Sequence, residues 1–262
     1  MSFYTQDISQ WLEKYLEESC LSTFVVGVSG GVDSAVVSTL CALTGKPTVV
    51  LNIPINSKHE NTALSTTQCE WLAANYDNVT VHAIDLSNTY KEFQETVLKS
   101  IDINGLAMAN TKSRLRMVLL YYFATTLNGL VVGTGNKVED FGVGFYTKYG
   151  DGGVDVSPIA DLTKTQVRNL AKELNIPAEI IEAPPTDGLW EDSRTDEEQI
   201  GASYEELEWA MDYADSVLRT NKAGHTLSSR QQEVLNIFLN YRTKNAHKMN
   251  PIPVYAYKGE NT

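Results

Sequence analysis

Four short runs of β-branched and apolar residues stand out from the polar background: "TFVVGV" at 23–28, "TVVLNI" at 48–53, "VTVHAID" at 79–85 and "GLVVGT" at 129–134. Continuous apolar runs of this length suit strands buried on both faces of a parallel sheet. Between them the apolar residues fall at helical spacing. Val37, Leu40 and Cys41 do so after Ser34, and Ala63, Leu64, Leu72 and Ala73 across 59–75. Leu115, Val118, Leu119, Tyr122 and Phe123 make one stripe across 110–127. Alternating strands and helices predict an α/β fold: a doubly wound parallel sheet of Rossmann-like type, flanked by helices and closed by right-handed crossovers.

The second half changes character. Glycine-rich "GFYTKYGDGGVD" at 144–155 precedes a helix opening at Thr163, with Val167, Leu170, Ala171 and Leu174 on one face. The stretch 182–201, "EAPPTDGLWEDSRTDEEQIG", holds Pro184, Pro185, Gly188 and many acids, and reads as a loop or lid. Helices at 203–218 and 228–246 follow, before a tail, "MNPIPVYAY", too proline-rich to be helical. The pattern predicts one domain over 1–262, with 184–200 as a mobile lid.

Composition narrows the function classes. A chain of 262 residues, 42% hydrophobic, buries a full core. The net charge of −12 is spread along it without a basic run, which argues against a nucleic-acid or anionic-membrane partner. Cys20, Cys41 and Cys69 are odd in number and lack C-x-x-C spacing, so neither a disulfide framework nor a zinc site is indicated. The N-terminus mixes acids into an amphipathic pattern, and no apolar run approaches membrane-spanning length. The expectation is a soluble, unexported, cytoplasmic protein.

The chemistry centres on "VVGVSGGVDSAVVSTL" at 25–40. A loop from a first strand to a helix places backbone N–H groups at the positive end of a helix dipole, and glycines let an anion approach them. Neither G-x-x-x-x-G-K-[ST] nor G-x-G-x-x-G is present. Asp33 beside a phosphate would repel it unless a metal stood between them, which implies Mg²⁺. The plainer alternative is a tight turn with Asp33 or Ser34 as N-cap.

"SGGVDS" resembles the pyrophosphate-binding loop of the ATP pyrophosphatases. Downstream, "NTKSRLRM" at 110–117, "VVGTGNKVE" at 131–139, "GFYTKYGDGGVD" at 144–155, "PIADLTKTQV" at 158–167 and "PPTDGLWEDSRTDEEQIGASYEE" at 184–206 are similar, in order and spacing, to ammonia-dependent NAD synthetases. The likeness runs from residue 23 to about 212, and "NAHKM" faintly resembles the family's His-Lys tail. It implies amidation of nicotinic acid adenine dinucleotide, with ATP as co-substrate, ammonia as nitrogen donor, an acyl-adenylate intermediate, AMP and pyrophosphate as products, and a homodimer. By the same resemblance Asp33 and Glu139 hold Mg²⁺. Gly27, Ser29, Gly30, Gly31, Val32, Asp33 and Ser34 cradle the pyrophosphate with Arg114, Thr134, Lys164 and Thr186. Phe145, Lys148, His247 and Lys248 meet the dinucleotide, and Asp151 lies beside ammonia; Asp151, Lys164 and Asp33 are the catalytic set.

Each assignment has a plainer rival. Glu139 fits an ordinary solvated acid after a strand, and Asp151 a turn aspartate before Gly152. Lys164 falls in a helix's first turn, where a cation is disfavoured and an anionic ligand would explain it. Thr163 is the N-cap under either reading. Arg114 and Arg116 lie about 200° apart on a regular helix, so both cannot face one ligand; Arg116 is the weaker candidate for ATP and shares a face with Lys112. Lys58 and His59 fit adenine or ribose contacts and exposed loop positions equally. Asn136, Lys137 and Met249 depart from the family pattern, the last putting the tail's role in question. The competing functions are another ATP pyrophosphatase, such as the synthetase half of GMP synthetase or a tRNA-thiolating enzyme, and a nucleotide sensor without catalysis. Thiolation needs reactive cysteines and a basic face, and a sensor would leave Glu139, Lys164 and Asp151 without a task.

Overall fold

The computed structural model describes residues 3–56, 59–186, 188–190, 194–220 and 226–257. Strands β1 (Thr23–Gly27), β2 (Thr48–Asn52), β3 (Val79–Ala83) and β4 (Gly129–Val132) form one parallel sheet in the order β3-β2-β1-β4. A single bridge from Val132 to Val156 extends it at the β4 side. Each predicted strand is present and ends one or two residues early, where the chain leaves the ladder to build the loops at the carboxyl edge.

Ten helices are described: α1 (Phe3–Glu18), α2 (Val32–Leu43), α3 (His59–Asn75), α4 (Ser87–Leu98), α5 (Gly105–Thr126), α6 (Lys164–Glu173), α7 (Ala178–Ile181), α8 (Asp196–Ile200), α9 (Tyr204–Thr220) and α10 (Ser229–Met249). A π-helical turn spans Lys137–Val143. The two sheet faces divide by strand parity. Phe24, Val26, Val50, Leu130 and Val132 pack with α1, α2 and α6, whereas Val25, Val49, Leu51 and Val131 pack with α5 around Ala124. The prediction of strands buried on both faces fails for β3, which is an edge strand and only half-buried.

Helix α5 starts five residues before the predicted stripe, because the Asn104 side chain accepts from Ala107 N and caps it. The stripe itself divides. Leu115, Leu119 and Phe123 are partly buried, while Val118 is 59% and Tyr122 66% exposed. Helix α4 is mostly polar and buries only Tyr90, so its sequence carried little signal. Within the predicted lid, 196–200 is helical: Thr195 and Glu198 form a capping box that starts α8.

A second core joins α8, α9 and α10 to the π-helical turn through Val138, Val143, Tyr204, Leu207, Met211, Val234 and Phe238. Gly144 makes that close approach possible. Its φ is +63° and a Cβ there would lie 2.6 Å from Asn245 Cβ. The turn carrying Glu139 is therefore held between the sheet and the C-terminal helices.

Candidate active site

The strand order reverses between β1 and β4, since β2 and β3 lie on one side of β1 and β4 on the other. Loops leaving the carboxyl ends of such neighbours diverge and open a crevice. Here the crevice is a cavity of about 570 Å³, walled by the loop after β1, the loop after β4, α5, the segment around Thr186 and the end of α10.

The glycine loop is braced by its own hydroxyls. Ser34 Oγ donates to Gly31 O at 2.9 Å, Ser29 N donates to Ser34 Oγ at 3.2 Å, and the two hydroxyls lie 3.1 Å apart. Gly30 has φ +89°, open to glycine at little cost. The turn reading with Asp33 or Ser34 as N-cap does not hold: Gly31 is the N-cap and no side chain caps α2. Gly27, Ser29, Gly30, Gly31, Val32, Asp33 and Ser34 all line the cavity.

Where this loop meets α6 and the π-helical turn, three charged groups come together. The Lys164 ammonium, only 3% exposed, contacts Asp33 Oδ2 and lies 3.1 Å from Glu139 Oε1. Its helix places it there because Thr163 caps α6 with Gln166 in a capping box, as predicted for Thr163. Asn136 orients Glu139 by accepting from Val138 N and Glu139 N, both at 3.1 Å. The Tyr204 hydroxyl donates to Glu139 Oε1, and the Tyr204 ring lies 4.8 Å from the Lys164 ammonium. Burial lowers the proton affinity of Lys164, but the two carboxylates more than offset it and raise its pKa. Burial, with Glu139 nearby, raises Asp33 despite Lys164. At Glu139, burial is outweighed by Lys164 and the Tyr204 hydroxyl, and the pKa is lowered.

These groups fit a hard divalent cation. Two carboxylates on separate elements supply oxygen donors of the kind Mg²⁺ takes. Asp33 Oδ1 is buried without a hydrogen-bond partner, an imbalance that a cation relieves.

Further along the cavity, Asp151 Oδ1 accepts from Ser113 Oγ at 2.6 Å and from Thr147 N at 3.0 Å. The residue opens onto the cavity, yet the crowded protein around its carboxyl raises its pKa, against the pull of Ser113. Asp140 also lines the cavity; burial first, then Glu139, Asp151 and Asp33, hold it well above the ordinary range. Lys248 Nζ donates to Gly144 O and Tyr146 O, both at 2.8 Å, and burial lowers its pKa.

Of the other anticipated residues, Thr134, Phe145 and Thr186 line the cavity, and Arg114, Lys148 and His247 do not. Arg114 points outward and donates to Lys148 O, and Lys148 Nζ donates to His247 O. Arg116, the weaker candidate for ATP, is turned inward by α5, where it lines the cavity and donates to Ile53 O at 3.0 Å. Lys58 and the His59 side chain lie outside the described residues. Sequence reasoning assigned no role to Tyr204 or Asp140.

A family model for NAD synthase matches residues 4–252. The chain belongs to the NAD synthase family. It is 39% identical over 209 residues to the NH3-dependent NAD⁺ synthetase of Carboxydothermus hydrogenoformans, covering 78% of this chain and 82% of the relative. The solved NMN synthetase of Francisella tularensis superposes with a TM-score of 0.83 at 29% identity, covering 97% of this chain and 98% of that one. The NH3-dependent NAD synthetase of Campylobacter jejuni, in complex with nitrate, gives 0.76 at 26% identity with the same coverage. Like its NAD synthetase relatives, this chain is an ammonia-dependent ligase. The reversal of strand order at β1 and β4 thus puts the cavity where open α/β sheets bind ligands, with the glycine loop that opens α2 as one wall.

Proposed function

We propose that the enzyme amidates the nicotinate carboxylate of nicotinic acid adenine dinucleotide in two steps. A carboxylate does not react with ammonia, because oxide would have to leave. In the first step a carboxylate oxygen attacks the α-phosphorus of ATP, the bond to the β-phosphate oxygen breaks, and pyrophosphate leaves with its electron pair. In the second, ammonia attacks the acyl carbon of the adenylate, AMP departs with the C–O electrons, and the nitrogen loses a proton to Asp151.

The observation that carries this reading is the alignment in one cavity of the glycine loop, Lys164 and Asp151. Loop N–H groups and the Ser29 and Ser34 hydroxyls bind the β and γ phosphates. Asp33 and Glu139 would hold Mg²⁺, which supplies charge neutralisation for the leaving pyrophosphate. Lys164 and Thr186 complete the phosphate site, with Arg116 on the ATP side. Asp151, held by Ser113 and Thr147, accepts the proton released as the amide forms. The wall around Leu189 and Trp190 shields the adenylate from water.

The exposed Val118 and Tyr122 of α5, with Leu106 60% exposed near its start, support a homodimer through this helix. A second acceptor is supported by the fit to the NMN synthetase: nicotinic acid mononucleotide presents the same carboxylate to the same chemistry. Purified protein given ATP, Mg²⁺, ammonium and either nucleotide tests both. Mass spectrometry should find NAD with AMP and pyrophosphate; ADP in place of AMP would refute the adenylate route. The ratio of rates on the two acceptors decides between them.

A further inference from the structure

The Asp33 side chain lines the cavity, is only 15% exposed, and is already paired with a cation of the protein itself. Its Oδ1 is buried and unpartnered, and its Oδ2 is engaged by Lys164. The same ammonium holds Glu139 Oε1, whose other neighbour is the Tyr204 hydroxyl. With its own charge 3% exposed and the Tyr204 ring 4.8 Å away, Lys164 sits where a cation shared by the two carboxylates would sit. We propose that Lys164 is the resident counter-cation of the Asp33–Glu139 pair and must release those carboxylates before a divalent metal can take them.

The inference rests on the reading of Asp33 and Glu139 as metal ligands, and it adds an order of events. A buried ammonium leaves an ion pair only for another anion, because an unpaired charge out of water is strongly disfavoured. The triphosphate is that anion. Glycine-loop residues Ser29 to Ser34 and Lys164 line the same cavity, so phosphates seated on the loop lie on the side to which Lys164 can turn. Metal and triphosphate then enter together: the phosphates draw Lys164 off, and the metal replaces it. Either one alone leaves a charge uncompensated. Binding of the two is cooperative, and linkage makes the enhancement reciprocal.

The test is Mn²⁺ binding, read from the free-ion paramagnetic resonance signal, with wild type and Lys164→Met. Without nucleotide, Lys164→Met should bind Mn²⁺ at least tenfold more tightly than wild type. With the non-cleavable α,β-methylene analogue of ATP, wild type should bind it well. Equal Mn²⁺ affinity of the two proteins without nucleotide would overturn the exchange. No binding by either protein under any condition would instead overturn the metal assignment.

Because Lys164→Met leaves two buried carboxylates unpaired and can fail to fold, a second measurement uses wild type alone. The Lys164 ammonium resonance, assigned with Lys164→Arg, should be protected from exchange in the free enzyme. Mg²⁺ alone should leave it in place, and Mg²⁺ with the analogue should move it. Displacement by Mg²⁺ alone would overturn the proposal.

Discussion

Ser113 and Asp151 hold each other by two hydrogen bonds: Ser113 Oγ lies 2.6 Å from Asp151 Oδ1 and 2.8 Å from Asp151 N. One hydroxyl thus fixes both the carboxylate and the turn that carries it, tying "KYGDGG" to α5. Gly150 permits the contact, since a Cβ there would lie 2.2 Å from Ser113 Oγ.

Ser113→Ala removes the bond that favours the charged form of Asp151, so its already raised pKa rises further. A base is active when ionised. The acidic limb of the rate profile therefore moves to higher pH, and Asp151→Asn should abolish amide formation while adenylate-dependent pyrophosphate release continues. Rate profiles from pH 5 to 9 check the first, and pyrophosphate assays without ammonium the second. An unmoved acidic limb in Ser113→Ala would count against Asp151 as the proton acceptor.

Asp33→Asn and Glu139→Gln should each lower turnover by roughly a hundredfold or more with the fold intact, because each weakens charge stabilisation at the departing pyrophosphate. Each also loses a partner of Lys164, so a modest drop in melting temperature accompanies it. Circular dichroism and a magnesium titration separate the two effects. Near-wild-type rates at all magnesium concentrations would remove both residues from the metal site.

Ammonium should serve and glutamine should not. Cys41 and Cys69 are buried in the main core, where burial raises Cys41 well above the ordinary thiol range and takes Cys69 to about 11. No cysteine lines the cavity among the described residues. A thiol held neutral is no nucleophile for glutamine. Amide formation from glutamine by the purified chain, with free ammonium scavenged, is the contrary result.

The glycine loop was legible because its requirements are local: a strand before, a helix after, and Gly30 at φ +89° between them. Lys164 was legible through a misfit, a cation at a helix start, and the structure supplies its partners in Asp33 and Glu139. Tyr204 gave no signal. Its hydroxyl meets Glu139 across 65 positions of chain, and a tyrosine opening an amphipathic helix reads as core. The arginines show the limit from the other side: spacing told that Arg114 and Arg116 diverge, but only the packing of α5 on β1 and β4 decides which turns inward.

Asp140 gives a pH signature of its own. Burial and three neighbouring acids raise its folded pKa, so the native state binds a proton more tightly than the unfolded chain. Stability from this group is present below the unfolded value near 4 and is lost as pH rises through the folded value. Asp140→Asn, which keeps the shape that packs on Gly135, should raise the melting temperature at pH 8 by a few degrees, on the order of 1 kcal/mol. The gain should vanish toward pH 4. A variant no more stable than wild type at pH 8 would show that Asp140 is not strained by its neighbours.

The segment over the cavity should report on both substrates. It is pinned at its base, where Asp196 N donates to Pro185 O at 3.0 Å, and on its inner side, where Lys112 Nζ donates to Leu189 O at 3.0 Å. Arg194 lies 4.7 Å from the Trp190 ring, and that ring rests beside Gly105 at the start of α5. Asp187 and residues 191–193 lie outside the described residues. Thr186 and Trp190 face the cavity, so ligands there add contacts that the empty enzyme lacks. Ordering an acid-rich stretch with few apolar side chains costs conformational entropy, and those contacts offset it only when the site is filled. Proteolysis of the free enzyme should therefore begin within 184–200, and ATP with the dinucleotide should slow it by roughly tenfold or more. Thr186→Ala should weaken that protection and raise the fraction of ATP consumed without NAD formed, because water reaches the adenylate. Lys112→Met, which removes the inner tether to Leu189 O together with the Lys112 contact to the Tyr90 ring, should speed cleavage of the free enzyme and leave the products unchanged in kind. Cleavage that starts elsewhere, or at equal rates with and without ligands, would mean that the segment is a fixed wall and not a lid.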